Sequence, residues 1–164
     1  MYLPLQIFIF VFIICYFFSL WINRSLLCKQ DFIEQDEFDT NQRRLLNFGH
    51  TFGHPIEVAS NYQISHGVAI GIGMLVAIEF VKNESKQATM LRQYIEGIIL
   101  LGIPEKTKVD FNELMKAFTT DKKQTYKYYV VILPDEDGAL YPYYMLKTTT
   151  ALKFVEAAYV TVFE

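Results

Sequence analysis

A chain of 164 residues with a formal net charge of −3 and a pI of about 5.6 is long enough to form one domain, burying about 70% of the surface its unfolded form exposes. It has no Lys/Arg block, so it lacks the electrostatic footprint of a nucleic-acid binder, and nucleic acid is not an expected partner. Its two cysteines, Cys15 and Cys28, have no CxxC spacing and cannot build a disulfide framework, which fits a reducing compartment.

Residues 1–22 stand apart from the rest. Between Leu3 and Ile22 only Pro4, Gln6 and Ser19 interrupt a run dominated by Ile, Phe, Leu and Val. At about 1.5 Å per residue this run covers the roughly 30 Å core of a bilayer, so residues 3–22 read as a membrane span. Arg24 and Lys29 follow it, and the positive-inside rule then places the remainder in the cytoplasm. A cleavable signal is disfavoured, because no basic residue precedes the apolar run and no small-x-small site ends it. Two competing readings are the artefactual start of a fragment and a helix buried against a missing neighbour.

Leu26, Leu27, Phe32 and Ile33 suit a helix from Ser25 to Asp36, followed by an acidic and polar stretch to Gln42. Next comes Arg43-Arg44-Leu45-Leu46-Asn47-Phe48-Gly49-His50-Thr51-Phe52-Gly53-His54-Pro55-Ile56-Glu57, and then Ser65-His66-Gly67, which brings all three histidines within seventeen residues. Neutral imidazole suits a borderline metal such as zinc. Histidines at i and i+4 project from one helical face, and a third just before an apolar helix completes such a group. From Val68 to Val81 the apolar content is nearly continuous, which predicts a central helix buried on most sides, with Gly71 and Gly73 permitting close approach of another backbone. An amphipathic run from Gln87 to Leu101 stops at Gly102 and Pro104, and Asp110 with Glu113 opens a short helix by capping-box logic. Tyr126 to Leu133 is β-rich, Asp135-Glu136-Asp137-Gly138 is a turn, Ala139 to Leu146 returns as the hairpin partner, and Thr150 to Val160 is helical. The expected fold is mainly α, multi-helical, with a small β hairpin.

The histidine stretch, together with His66-Gly67-Val68-Ala69-Ile70-Gly71-Ile72-Gly73-Met74, resembles the 3-dehydroquinate synthase family, whose hallmark reads close to LNFGHTFGHAIE and, after a short spacer, HGEAVAIGM. Agreement extends upstream through Lys29 to Asp39 and resumes at Thr120-Asp121-Lys122-Lys123, covering roughly residues 22 to 164. The resemblance implies that residues 23–164 are the C-terminal metal- and substrate-binding domain of such an enzyme. That enzyme is a cytoplasmic carbon–oxygen lyase of the shikimate pathway, expected as a homodimer. It uses NAD and zinc or cobalt to eliminate phosphate from a seven-carbon keto sugar-acid phosphate and cyclise it to 3-dehydroquinate.

Carried over residue by residue, the resemblance makes His50 and His66 metal ligands, completed by a carboxylate and by substrate or water. The family's third ligand is a glutamate in an AEVIK-like segment that has no counterpart before Lys29. No GxGxxG or GGG occurs either, so NAD is expected to be held mainly by a missing N-terminal domain. Lys29, Arg43, Asn47 and His54 match positions that hold the substrate's carboxylate, phosphate and hydroxyls, a role suited to guanidinium, amide, imidazole and ammonium donors. Lys122 and Lys123 match an element in which one lysine reaches the phosphate.

Three positions depart from the family pattern. Asp39 stands for the usual Glu, shortening the reach of an acid/base or ordering carboxylate. Pro55 stands for Ala directly after His54, where a helix would lose a hydrogen bond to the Thr51 carbonyl at a cost of about 3 kcal/mol. Val68 stands for the acid of His-Gly-Glu, removing any carboxylate that position supplied to the site. The rival readings are another sugar-phosphate cyclase, such as a deoxy-inosose synthase, and a non-catalytic membrane-anchored remnant. Arg43, as a carboxylate partner, favours dehydroquinate chemistry over the first.

Overall fold

No glycine or proline falls between Leu5 and Gln35, so nothing in that stretch interrupts the backbone hydrogen-bond ladder of a helix. The computed structural model describes residues 5–38, 42–102, 107–121 and 124–163, with backbone alone for residues 5–15 and 98–102. In it one helix, α1 (Leu5–Gln35), runs through both the apolar stretch and the helix expected from Ser25. Tyr16, Phe17, Phe18 and Trp21 are exposed on it. Among the described residues no helix is long and apolar enough to cross a membrane. Most of the expected span, Leu3–Ile22, falls on side chains outside those residues.

The chain forms two compact units, residues 1–46 and 47–164. In the first, α1 ends where the buried Asp36 donates its N–H to the Phe32 carbonyl at 3.1 Å. The Asp36 carboxylate accepts the backbone N–H of Arg43 at 3.1 Å, tying the end of α1 to a 3₁₀ helix over Gln42–Asn47.

The second unit is built around one helix. Ten residues, His50–Ala59, make α2, and His66–Phe80 make α3. The others are α4 (Lys86–Gly102), α5 (Phe111–Thr120), β1 (Tyr128–Pro134), β2 (Leu140–Leu146) and α6 (Thr149–Phe163). The expected central helix is α3: it packs against α2, α4, α6 and β1, and residues such as Ile70, Ile72, Val76 and Ile78 are buried around its whole circumference. Between α2 and α3 the backbones touch. A Cβ on Gly73 would meet the Gly49 carbonyl and lie 2.5 Å from the Gly53 nitrogen, whereas one on Gly71 would meet only Ile95 Cγ2, at 3.3 Å. Of the two glycines singled out, Gly73 makes the close approach.

The Asp110 cap forms as expected, its carboxylate accepting the N–H groups of Asn112 and Glu113 at 2.9 and 3.1 Å. Glu113 does not complete a reciprocal box, and its side chain pairs with Lys116 at 3.1 Å instead. The hairpin is antiparallel with Val131 opposite Tyr143. Asp135 closes its turn by accepting from Asp137 and Ala139 at 3.0 and 2.8 Å, and Gly138 takes φ of 84°. β1 is the inner strand, buried from Val131 to Pro134, while β2 exposes its tyrosines.

A buried aromatic group joins α2, α3, α5 and α6. Phe52, 1% exposed, lies 6.0 Å from Phe80, 5.8 Å from Phe118 and 5.8 Å from Tyr159 between ring centroids. Tyr159 donates its hydroxyl to the Phe52 carbonyl at 2.7 Å. Burial, and secondarily the negative charge of Asp121, push its pKa well above the ordinary 10.0. The folded chain therefore keeps a proton that the unfolded chain has lost, so stability is full below the unfolded pKa and falls as pH rises above it. Tyr159→Phe is expected to cost about 1 kcal/mol at neutral pH. It should also flatten the alkaline fall above pH about 10, leaving a part from Tyr129, whose pKa burial also raises. Urea midpoints measured from neutral to alkaline pH check both.

Candidate metal centre

Gly49 takes φ of 79° at the N-cap of α2, a left-handed conformation open to glycine without steric cost. This turn starts the helix at His50 and places His54 one turn later on the same face. The helix continues through Pro55, which is buried within it. The bond from position 55 to the Thr51 carbonyl is thus absent, as the sequence requires. Pro55→Ala should restore about 3 kcal/mol of helix energy and lose roughly 1.6 kcal/mol for two buried methylenes. The expected net is a stabilisation of about 1 kcal/mol, seen as a melting point higher by roughly 2–4 °C.

The six-residue link to His66 is held from within. Ser60, buried, donates to the Glu57 carbonyl at 3.0 Å and accepts the Ile64 N–H at 3.3 Å. Asn61 and Tyr62 adopt left-handed φ of 51° and 59°, reversing the chain, with the Tyr62 N–H on the Glu57 carbonyl at 2.8 Å. His66 is thereby delivered as the first residue of α3, opposite the histidines of α2.

The three imidazoles converge. Their ring centroids are 5.4 Å apart for His50 and His54, 5.6 Å for His50 and His66, and 5.7 Å for His54 and His66. One ligand nitrogen from each lies within 4.8 Å of the others. Each ring turns Nδ1 toward a protein oxygen: His50 to the Phe48 carbonyl at 3.3 Å, His54 to Asp121 at 3.6 Å and His66 to Glu57 at 2.9 Å. A proton on Nδ1 puts the lone pair on Nε2, the arrangement by which oxygen acceptors orient metal-binding histidines. The donor set therefore suits zinc or cobalt. Neither Asp121 nor Glu57 had been singled out as an orienting group. Glu57 sits inside the histidine motif, while Asp121 lies on the far side of α5 in sequence and only packing of α5 on α2 brings it near.

Beside His54 lies an open cleft of about 470 Å³, bordered by Pro55 and Val58 of α2, Glu113, Lys116 and Thr120 of α5, and Asp121. That volume is in the range of small-molecule sites. Asn47, half-buried, closes the 3₁₀ helix just before the α2 turn. Lys29 and Arg43 belong to the first unit. Lys29 is exposed on α1, and the Arg43 guanidinium donates to the Glu37 carbonyl at 2.8 Å. Asp39, Lys122 and Lys123 lie outside the described residues. Val68 is buried, and the carboxylate beside His66 is that of Glu57.

The sequence profile of the family described as 3-dehydroquinate synthase C-terminal matches residues 16–124. This chain belongs to that family. The 3-dehydroquinate synthase of Clostridium tetani is 40% identical over 119 residues, covering 71% of this chain and 32% of that protein. The synthase of Dictyoglomus turgidum is 39% identical over 119 residues, covering 71% and 34%, and that of Pyrococcus furiosus is 34% identical over 122 residues, covering 71% and 34%. The chain thus spans about a third of the length of these family members. A crystal structure of 2-deoxy-scyllo-inosose synthase complexed with carbaglucose-6-phosphate, NAD+ and Co2+ superposes with a TM-score of 0.67 at 21% identity, covering 86% of this chain and 40% of that one. A second structure of 2-deoxy-scyllo-inosose synthase gives 0.63 at 19%. The helical domain with its hairpin therefore shares the fold of the matching part of these two structures.

Proposed function

We propose that residues 23–164, preceded by the apolar segment 1–22, are the metal- and substrate-binding portion of a 3-dehydroquinate synthase. In this reading the assembled protein is a homodimeric cytoplasmic lyase of the shikimate pathway. It eliminates phosphate from a seven-carbon keto sugar-acid phosphate and closes the ring, with NAD held by a separate nucleotide-binding domain. The observation that carries the reading is the convergence of His50, His54 and His66, with His50 and His66 on the Phe48 carbonyl and the Glu57 carboxylate, in a chain of this family.

His50 and His66 hold the metal, which when bound acts as a Lewis acid toward substrate oxygens. Arg43 pairs with the substrate carboxylate through two parallel N–H donors. Asn47, His54, Lys29 and one of Lys122 and Lys123 donate to hydroxyl and phosphate oxygens, and Asp39 supplies an acid/base or ordering carboxylate.

The test is to pair the chain with an N-terminal half from a family member and measure phosphate release from the seven-carbon substrate. Release that disappears with His50→Ala is the expected result; no release under any pairing rejects the reading. The structural likeness to 2-deoxy-scyllo-inosose synthase supports a second reading, a cyclase acting on a hexose phosphate, which has no carboxylate for Arg43. Offering both sugar classes to the same preparation separates the two.

A further inference from the structure

We infer that residues 3–22 are a single membrane span, lying in the hydrocarbon of a lipid bilayer, and that Arg24 and Lys29 fix the following chain on the cytoplasmic side. The inference is independent of the synthase reading: phosphate release tests that one, and lipid insertion tests this.

Length and charge are the first ground. From Leu3 to Asn23 the sequence has no Asp, Glu, Lys or Arg. At about 1.5 Å per residue that stretch reaches roughly 30 Å, the thickness of bilayer hydrocarbon. The structure adds continuity. Because α1 runs unbroken from Leu5 to Gln35, nearly the whole stretch is one helix, the form in which backbone N–H and C=O groups are satisfied without water. Arg24 and Lys29 follow directly, with no acidic residue before Asp31, the bias that holds a flank in the cytoplasm. Tyr2 and Trp21 bracket the run, as aromatic residues do at the two headgroup levels. Past Asn23 the same helix gains Arg24, Lys29, Asp31 and Glu34, so that from Arg24 to Gln35 it continues for about 18 Å as a polar stalk.

Exposure is the second ground. Every residue from 16 to 31 is exposed. Among them are Tyr16, Phe17, Phe18, Leu20, Trp21 and Ile22, with Phe18 at 68% and Trp21 at 72%. At about 100° per residue these six spread around the whole circumference of α1. A helix that is apolar all round belongs in a large core or in a membrane. A second copy of the chain, packed as a coiled coil, covers only one seam of each helix, whereas lipid covers every side. The family profile begins at residue 16, so most of the run, residues 3–15, lies ahead of the part shared with the family.

The test is cell-free synthesis of the 164-residue chain with vesicles of phosphatidylcholine and phosphatidylglycerol, then an alkaline carbonate wash and flotation in a density gradient. The expected result is that most of the chain floats with the vesicles after the wash. Phe12→Arg together with Ile13→Arg places two charges at the middle of the run and should reduce the floated fraction by about tenfold or more. Phe12→Leu with Ile13→Leu should float like the original. Proteinase K added outside the vesicles should digest the chain beyond Arg24 and leave a peptide containing residues 3–22, protected until detergent is added. That readout uses the unmodified chain and so holds whether or not the arginine variant folds. A chain stripped by carbonate lies on the lipid surface, and one left at the bottom of the gradient as a dimer or an aggregate has covered α1 with protein. Either result overturns the span, as does an arginine variant that floats like the original. Protection of the chain beyond Arg24 overturns the orientation.

Discussion

Gly73→Ala should destabilise the second unit by about 3 kcal/mol or more, at the upper end of what overpacking costs. The added methyl meets backbone, the Gly49 carbonyl and the Gly53 nitrogen, rather than the far end of a side chain that can rotate away. Relief requires α2 and α3 to separate, and α2 carries His50 and His54 while α3 begins with His66. The substitution should therefore weaken metal binding together with stability. With an m-value of about 1–3 kcal/mol per molar urea, the unfolding midpoint should fall by 1 M or more. Two other glycines provide internal controls. Gly71→Ala meets only the Ile95 methyl at 3.3 Å, and Gly97→Ala on α4 meets nothing within 4 Å. There the better helix propensity of alanine, worth about 1 kcal/mol, should make Gly97→Ala stabilising and Gly71→Ala close to neutral. A Gly73→Ala protein as stable as the original would rule out this backbone contact between α2 and α3.

Phe52→Ala is expected to cost about 3–5 kcal/mol, the usual range for removing a buried phenylalanine. Its ring is nearly parallel to Phe118, at 14°, and meets Tyr159 edge-on at 79°, contacts that contribute beyond burial alone. A domain of this size has roughly 5–15 kcal/mol of total stability, so the loss takes a large fraction of it. Phe52→Leu keeps much of the volume and should cost less than about 2 kcal/mol. Phe52→Ala and Gly73→Ala differ in a second readout. Phe52 faces the aromatic core, away from the imidazoles, and its loss should leave metal affinity of the folded fraction unchanged, whereas Gly73→Ala should lower both. Urea unfolding with and without Zn2+ distinguishes them, because a ligand stabilises only the fold that binds it.

How far the sequence could be read follows from the range of the interactions involved. The start of α5 at Asp110, the turn at Asp135–Gly138 and the placing of His50 and His54 on one helix face depend on groups within four residues of one another, and each is present. The burial of α3 followed from unbroken apolar composition. The apolar segment and the helix expected from Ser25 run on as one helix, since composition changes between them but no helix-breaking residue intervenes. Gly71 and Gly73 looked equivalent in the sequence. Two residues apart on a helix they face nearly opposite ways, and the position of α2 makes only Gly73 indispensable.

The site divides in the same manner. Residue order alone was enough for the two histidines of α2, the third at the head of α3 and the family to which they belong, because a motif is a local pattern of chemical types and spacings. Which oxygens orient the rings, and that the three rings stand at nearly equal distances, was settled by folding. Asp121 reaches His54 only through the packing of α5 on α2, and Glu57 reaches His66 only because the left-handed turn at Asn61 and Tyr62 folds the chain back. Such contacts join residues far apart or around a reversal, and they form when apolar faces are buried against one another, a balance spread over the whole core.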